Sequence, residues 1–478
     1  MLVKSLRRHP LLWGSLLGGT AVVGASLAPA AQAAYSASLA PTFRSYHGPY
    51  SAPDLRGNYT KAAASGEPSI GLNAKTGALL FMSNKNTYRV TGFDAKKDEV
   101  ATWTDVTDPV IGAQTSDPIL YTDPVTNRAF ANQLELQGGS LQAYTDDDGA
   151  HWTHSTMGGG IGIAFDHQTI VAGKNTGKNP LIPTTIGYPN VVYYCTNDLY
   201  AADCAPSIDG GLNFLVATPA YLGDLAGGPC SAIFGHIKTD PNDGTLYLPP
   251  EQCGDGQRLY VSEDNAKTWR SSTIPDSAVG DGGHPSVAVG NDGTLYLSWT
   301  SDDVHTGTDY STGRVHVAVS TDHGKTWVRQ ATLGSDLGIA STRFPVAVAG
   351  DGDRAAVAYI GTTTTGEPGA LGDALTHAGA FAGQWHLYVS YTFDRGKRWV
   401  TYDATPTDAV QVGPVCTAGT TCTSGRNLLD FNDLILDGDG RVVVALADGC
   451  TNDTCDYVKE LALATIVRQV NGPRLRRG

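Results

Sequence analysis

A short motif recurs five times in the chain, and it constrains the fold more than any other feature of the sequence. Its pattern is Ser/Thr-x-Asp-x-Gly-x-x-Trp, with Phe ending the second copy and Ala replacing Gly in the third. The copies are Thr145–Trp152, Ser207–Phe214, Ser262–Trp269, Ser320–Trp327 and Thr392–Trp399. Asp can accept hydrogen bonds from turn amides, Gly permits a positive φ, and Trp can pack over the loop. Each copy therefore predicts a tight turn between two strands of a repeat architecture.

A second repeat lies between these turns and sets the number of structural units. Each unit reads as an apolar strand, a turn and a second strand of alternating pattern. The units begin at Glu67, Asp117, His167, Gly235, His284, Phe344 and Asn432. Their spacing is close to the 40–50 residues of a four-stranded propeller blade plus loop insertions. We predict an all-β propeller of seven antiparallel blades, with six as the alternative because the unit at His167 is the weakest match.

The five-fold motif resembles the Asp-box, or bacterial neuraminidase repeat, of the sialidase superfamily. That resemblance implies a β-propeller in which the Asp-boxes are structural turns on the face opposite the active site. It implies a glycan as substrate or ligand. Sialidases proper have six blades, so a seven-bladed chain would depart from that pattern.

The N-terminus predicts export, and the rest of the chain divides around the repeats. Residues 1–33 combine a basic start, an apolar stretch and a final run of small residues suited to cleavage, as a signal peptide does. We expect an N-terminal wrap segment at 34–60, the propeller at 61–470 and a basic tail at 471–478. The net charge of −14 argues against nucleic acid as a partner. The mature protein is expected to be secreted, monomeric and free of the membrane.

Cysteine usage agrees with an oxidising compartment. All eight cysteines lie after the predicted signal peptide, and no paired C-x-x-C unit suggests zinc. Sequence proximity predicts four local disulfides among 105 possible connectivities. The predicted pairs are Cys195–Cys204, Cys230–Cys253, Cys416–Cys422 and Cys450–Cys455.

Candidate catalytic residues follow from the repeat alignment. The first strand of a propeller blade is innermost, so the residues that begin the units should form a polar ring at the central funnel. Facing carboxylates can cleave a glycosidic bond, and Glu67 and Asp117 are the leading pair. His167 and His284 are candidate acid/base groups. The alternatives are that these residues hold a divalent cation, or that they only line a water-filled channel.

Candidate substrate-binding residues come partly from the resemblance. Thr342–Pro345 (TRFP) resembles the Arg-Ile-Pro motif of sialidases, whose arginine clamps the substrate carboxylate, and Arg343 is the matching residue. The family motif precedes the first Asp-box, whereas Arg343 follows the fourth, and neither the three-arginine cluster nor the Tyr–Glu nucleophile pair can be assigned. The other candidates are Arg426, Asn432 and Asp281.

The sequence thus predicts a secreted, sialidase-like propeller that processes glycans at its funnel as a hydrolase, or as a polysaccharide lyase. No cofactor is expected beyond a structural or funnel-bound divalent cation. The alternative is a non-catalytic propeller that binds a carbohydrate or a protein. Off-motif aromatic residues could stack on sugars, but core packing is the expected role of Trp299, Tyr359, Trp385 and Tyr391.

Overall fold

In a computed structural model of the chain, the inner strands of seven sheets pack side by side in a closed ring. The described residues are 40–50, 65–98, 100–113, 117–134, 139–155, 166–198, 200–277, 283–301, 313–365, 381–417, 422, 425–451, 454–455 and 461–477. Residues 40–478 form one compact unit. The ring confirms the predicted propeller and resolves the blade count at seven. The predicted signal peptide, 1–33, lies outside the described residues.

The seven blades have four antiparallel strands each. The chain begins with β1 (Thr42–His47), which belongs to the last blade. Blade 1 comprises β2 (Ser69–Leu72), β3 (Leu79–Ser83), β4 (Asn86–Thr91) and β5 (Thr102–Asp105). Blade 2 comprises β6 (Ile119–Thr122), β7 (Ala129–Leu134), β8 (Ser140–Thr145) and β9 (Thr153–His154). Blade 3 comprises β10 (Gln168–Gly173), β11 (Val191–Asn197), β12 (Ala201–Ser207) and β13 (Thr218–Leu222).

The second half of the ring follows the same plan. Blade 4 comprises β14 (Lys238–Thr239), β15 (Leu246–Leu248), β16 (Arg258–Ser262) and β17 (Arg270–Thr273). Blade 5 comprises β18 (Ser286–Val289), β19 (Leu295–Ser301), β20 (Arg314–Ser320) and β21 (Arg329–Thr332). Blade 6 comprises β22 (Ser341–Ala349), β23 (Ala355–Thr362), β24 (Gln384–Thr392) and β25 (Val400–Asp403), with β26 (Gln411–Val412) also pairing with β24.

Blade 7 joins the two ends of the chain. From the funnel outward it comprises β27 (Asp433–Leu436), β28 (Val442–Asp448), β31 (Leu463–Asn471) and β1, while β29 (Cys450–Thr451) and β30 (Thr454–Cys455) form a separate hairpin. The segment predicted as a wrap therefore contributes the outer strand of the closing blade. In the predicted tail, Leu475 is buried and Arg477 pairs with Asp351 and Asp353.

The hydrophobic core is divided among the interfaces between blades. Seven apolar clusters are buried, and each lies mainly between one pair of neighbouring blades. A strand inside such a ring is covered on both faces, so it reads as a nearly continuous apolar run. All seven residues of Leu295–Ser301 are buried for this reason. The off-motif aromatics Trp299, Tyr359, Trp385 and Tyr391 are also buried, which confirms their predicted core role.

The five motif copies form the turns between the third and fourth strands of blades 2 to 6. In every copy an Asp oxygen accepts the backbone N–H four residues later at 2.8 or 2.9 Å. The turn also needs a positive φ at the fifth position, which is 72° at Gly324 and 60° at Ala266. Because strands alternate in direction, these turns lie on the opposite face from the starts of the inner strands.

The covalent cross-links are those that the sequence predicted. The four disulfides join Cys195–Cys204, Cys230–Cys253, Cys416–Cys422 and Cys450–Cys455. Three short 3-10 turns are the helical elements of the described residues, at Ile111–Ala113, Asp224–Ala226 and Ser335–Leu337. In the part of the chain that is described, no helix is long and apolar enough to cross a membrane.

Candidate functional site at the funnel

The entry to the inner strand has a strained backbone in four of the seven blades. Glu67, Asp117, His167 and Phe344 have φ values of 50°, 45°, 43° and 57°. Residues with a side chain rarely adopt this left-handed region, and such strain persists only where the surrounding structure enforces it. Glu67, Asp117 and His167 lie one or two residues before an inner strand, and Phe344 lies within β22, where its pairing with β23 shifts register. The strain therefore belongs to the funnel ring that the repeat alignment predicted.

Glu67 and Asp430 form a hydrogen-bonded pair of carboxyl groups in this ring. Glu67 is 5% exposed, and burial, followed by the negative charges of Asp117 and Asp430, raises its pKa well above the usual value. Arg426 binds Asp430 with both ends of its guanidinium. Burial opposes the ionisation of Asp430, but its hydrogen bonds with Arg426 outweigh that effect and lower its pKa. A protonated Glu67 therefore donates to an ionised Asp430.

Three histidines from blades 3, 4 and 5 surround the ring of Phe431. His167, His236 and His284 meet Phe431 edge to face, at centroid distances of 5.4, 4.8 and 5.5 Å. His167 also lies 4.3 Å from His284, measured between ring centroids. Burial, followed by the neighbouring His284, lowers the pKa of His167 well below its usual value. His167 is therefore a neutral imidazole near neutral pH.

His284 is the most basic of the three histidines because of a buried carboxylate. Its Nδ1 lies 3.1 Å from Glu251 Oε1 and 3.2 Å from the carbonyl oxygen of Phe234. Burial disfavours the imidazolium, but the charges of Glu251, Asp430 and Asp166 outweigh burial and raise the pKa of His284. Burial also raises the pKa of Glu251. The pair consequently keeps its proton to higher pH than an isolated histidine would.

Asp117 and Asp166 add two more carboxyl groups beside His167. The backbone N–H of His167 donates to Asp117 Oδ2 at 2.9 Å, and the side-chain amide of Gln168 donates to the Asp117 carbonyl oxygen. Asp166 has an exposed side chain, although it stands within the funnel's walls. Desolvation by these walls, followed by the charge of Asp117, raises the pKa of Asp166 to about 7.

The remaining predicted residues have different surroundings. Arg343 is 3% exposed, and its Nη1 donates to the carbonyl oxygen of Thr342 at 2.8 Å and to Ser341 Oγ at 3.3 Å. Its guanidinium is thus held against its own strand. Asn432 is buried, and its Nδ2 has no hydrogen-bond partner among the described atoms. Asp281 lies outside the described residues.

His236, Glu251 and Phe431 also lie in this ring, although the sequence did not predict them as site residues. The alignment placed Gly235 on the ring, but the side chain that contacts His167 and Phe431 is that of the next residue, His236. Glu251 follows the second strand of blade 4, and an antiparallel second strand returns to the face where the first began. The same reasoning, applied to every second strand, would have found Glu251. The Cys230–Cys253 disulfide closes the loop that carries Glu251.

Two groups of side chains among the described residues have ligand atoms close enough for a metal ion. One is His47, Asp408 and Asp448, and the other is Asp240, Asp243 and His323. Neither group contains a residue of the funnel ring. In the first, His47 at the end of β1 approaches Asp448 at the end of β28, although β31 separates the two strands in the sheet. The second lies between the inner turn of blade 4 and the motif turn of blade 5.

Comparisons with known proteins give structural likenesses only. No family model matches the chain, and neither does any curated protein. A protein of unknown function from Dyadobacter fermentans is 13% identical over 90% of this chain and 100% of its own, with a TM-score of 0.41. The NanB sialidase of Streptococcus pneumoniae is 12% identical over 83% of this chain and 82% of its own, with a TM-score of 0.42. An α-L-arabinanase from Penicillium chrysogenum is 13% identical over 74% and 92%, with a TM-score of 0.41. At these identities and TM-scores we infer nothing about activity from them.

Proposed function

We propose that this chain is a secreted, sialidase-like Asp-box propeller that hydrolyses glycosidic bonds at its funnel. The observation that carries the proposal is Glu67, whose burial, nearness to Asp117 and hydrogen bond with Asp430 raise its pKa well above the usual value. Glycoside hydrolysis needs a carboxylic acid that stays protonated near neutral pH, together with an ionised carboxylate. Four disulfides suit export to an oxidising compartment.

In this mechanism Glu67 is the general acid. Arg426 keeps Asp430 ionised, so that Asp430 holds the proton on Glu67 until a glycosidic oxygen approaches. Glu67 then transfers that proton to the leaving oxygen. Asp117, oriented by the backbone N–H of His167, is the carboxylate that activates water or attacks the sugar. A polysaccharide lyase would use the same acid to protonate the leaving oxygen but would take a proton from the sugar instead.

The second candidate is a propeller that binds a glycan without cleaving it. The observation that favours it is the burial of Glu67, which is 5% exposed and has its proton engaged by Asp430. A carboxyl group so placed can be a structural cross-link between blades 1 and 7. In that case the funnel would recognise sugars through its outer polar groups.

The decisive experiment uses Glu67→Gln, which can still donate a hydrogen bond to Asp430 but cannot give up a proton. The purified protein is assayed for release of reducing ends from neutral, amino and acidic glycans and from aryl glycosides. We expect Glu67→Gln to lower turnover by about 100-fold or more, with unchanged thermal unfolding. Glu263→Gln is the matched control, since Glu263 lies in a motif turn on the opposite face.

Two results would contradict hydrolysis at this site. Turnover that persists in Glu67→Gln would remove Glu67 from the mechanism. Binding of a glycan that stays intact over a long incubation would instead establish the binding module.

A further inference from the structure

We propose that the funnel selects glycans that carry an ammonium group, as de-N-acetylated amino sugars do, and discriminates against glycans that carry a carboxylate. The inference rests on the proposed glycan function and concerns the charge of the ligand. It follows from a comparison of the carboxyl groups in the funnel with the basic side chains that neutralise some of them.

Acidic groups outnumber basic groups in the interacting part of the ring. The five carboxyl groups that influence one another there are those of Glu67, Asp117, Asp166, Glu251 and Asp430. The cations within this described set are Arg426 and His284. Even with Glu67 protonated, the set has a surplus of negative charge. A cleft with one sign of charge and protein walls concentrates ligands of the opposite sign.

Both cations are already engaged by carboxylates. Arg426 gives both ends of its fork to Asp430. His284 directs Nδ1 at Glu251, 3.1 Å away. A ligand carboxylate would have to displace Asp430 to reach the fork, and Asp430 would then be left as an unpaired negative charge. Among the described residues, the funnel therefore offers no available arginine fork of the kind that binds a carboxylate in a planar, bidentate way.

Two further basic residues near the inner strands do not change this balance. Arg343 is held against the backbone of its own strand. Lys238, on β14, is close enough to the buried Asp433 to lower the pKa of that carboxyl group, although burial raises it overall. Lys238 also lowers the pKa of His236, so its charge reaches the ring; counted together with Asp433, it leaves the carboxyl groups in the majority.

His167 supplies an independent sign of a missing ligand. It is 1% exposed, and its Nε2 has no hydrogen-bond partner among the described atoms. Buried polar atoms are rarely left without a partner. His167 is neutral, so Nε2 accepts a hydrogen bond when the ring proton sits on Nδ1. In that tautomer an ammonium group can donate to this nitrogen and also neutralise nearby carboxylates, whereas a carboxylate can do neither.

The test compares three oligosaccharides of equal length by isothermal titration calorimetry. They are a glucosamine oligomer at a pH where its amines are protonated, its N-acetylated counterpart, and a uronic acid oligomer. We expect the glucosamine oligomer to bind about tenfold or more tightly than the N-acetylated one, and the uronic acid oligomer to bind least. The double variant Asp117→Asn, Asp166→Asn should reduce the preference. Glu263→Gln, which removes a charge from a motif turn on the opposite face, should leave it unchanged.

The outcomes separate this inference from the function on which it rests. Equal affinity for the glucosamine and N-acetylated oligomers, or tightest binding of the uronic acid oligomer, would overturn the charge preference and leave the glycan site standing. A preference that survives the double variant would place the selective charges elsewhere and overturn the assignment to this ring. Failure of every oligosaccharide to bind would overturn the glycan function, and the inference with it.

Discussion

Replacing Tyr46 tests how the propeller closes. Tyr46 lies on β1, which pairs with β31 and completes blade 7 from the opposite end of the chain. Its side chain is 0% exposed, its hydroxyl donates to the carbonyl oxygen of Asp94 at 2.9 Å, and its ring meets Phe93 edge to face at 4.9 Å. Tyr46→Ala therefore removes contacts between blade 7 and blade 1 together with one hydrogen bond.

The expected loss follows from these contacts. Truncation of a fully buried aromatic side chain to Ala costs about 3–5 kcal/mol of unfolding free energy. The hydroxyl contributes about 1 kcal/mol of this, because the carbonyl of Asp94 is only partly buried and water can replace its partner. Tyr46→Phe should therefore cost about 1 kcal/mol, and Tyr46→Ala the full amount.

The measurement is urea unfolding followed by tryptophan fluorescence and far-ultraviolet circular dichroism. Tyr200→Ala is the matched control, since Tyr200 is 56% exposed, and its effect should stay within about 0.5 kcal/mol. A Tyr46→Ala variant that loses less than about 1 kcal/mol would refute the reasoning. It would mean that β1 does not close the ring.

Two further predictions concern the funnel. Replacing Cys230 and Cys253 with Ser should lower the unfolding free energy by about 3 kcal/mol and weaken ligand binding, because the disulfide closes the loop that carries Glu251; unchanged affinity by calorimetry would contradict the second effect. Asp166 should titrate near its pKa of about 7, so it is mostly neutral below that pH and gains its charge above it. Carbon-13 NMR of the side-chain carboxyl groups should show this midpoint, absent in Asp166→Asn and lower in Asp117→Asn because a like charge is lost. A midpoint near the ordinary aspartate value in the unsubstituted protein would contradict the prediction.

Much of the architecture was predictable because it depends on local pattern. Each motif copy forms its turn with hydrogen bonds between residues at most four positions apart, so the sequence reports the turn directly. The disulfides were predictable for a similar reason, since their half-cystines lie 5 to 23 residues apart. The ring positions of Glu67, Asp117 and His167 followed from their place before the inner strands, and their strained backbone matches that place.

The partnerships within the funnel were not predictable, because they join residues from different blades. We predicted Glu67 and Asp117 as a pair of facing carboxylates. The hydrogen-bonded partner of Glu67 is instead Asp430, which lies more than three hundred residues further along the chain. The neighbours of Arg343 in the sequence resemble the Arg-Ile-Pro motif of sialidases. In the structure its guanidinium is buried and donates to the carbonyl oxygen of Thr342 on its own strand.

The sequence by itself determined the repeat and its turns, and it favoured seven blades and four local cross-links, because each depends on residues close together in the chain. Only the tertiary structure decided that β1 completes blade 7 and that five carboxyl groups share two cations at the funnel. The physical reason is that ring closure brings distant segments together and removes them from water. Burial and neighbouring charge, rather than residue type, then determine which groups hold a proton.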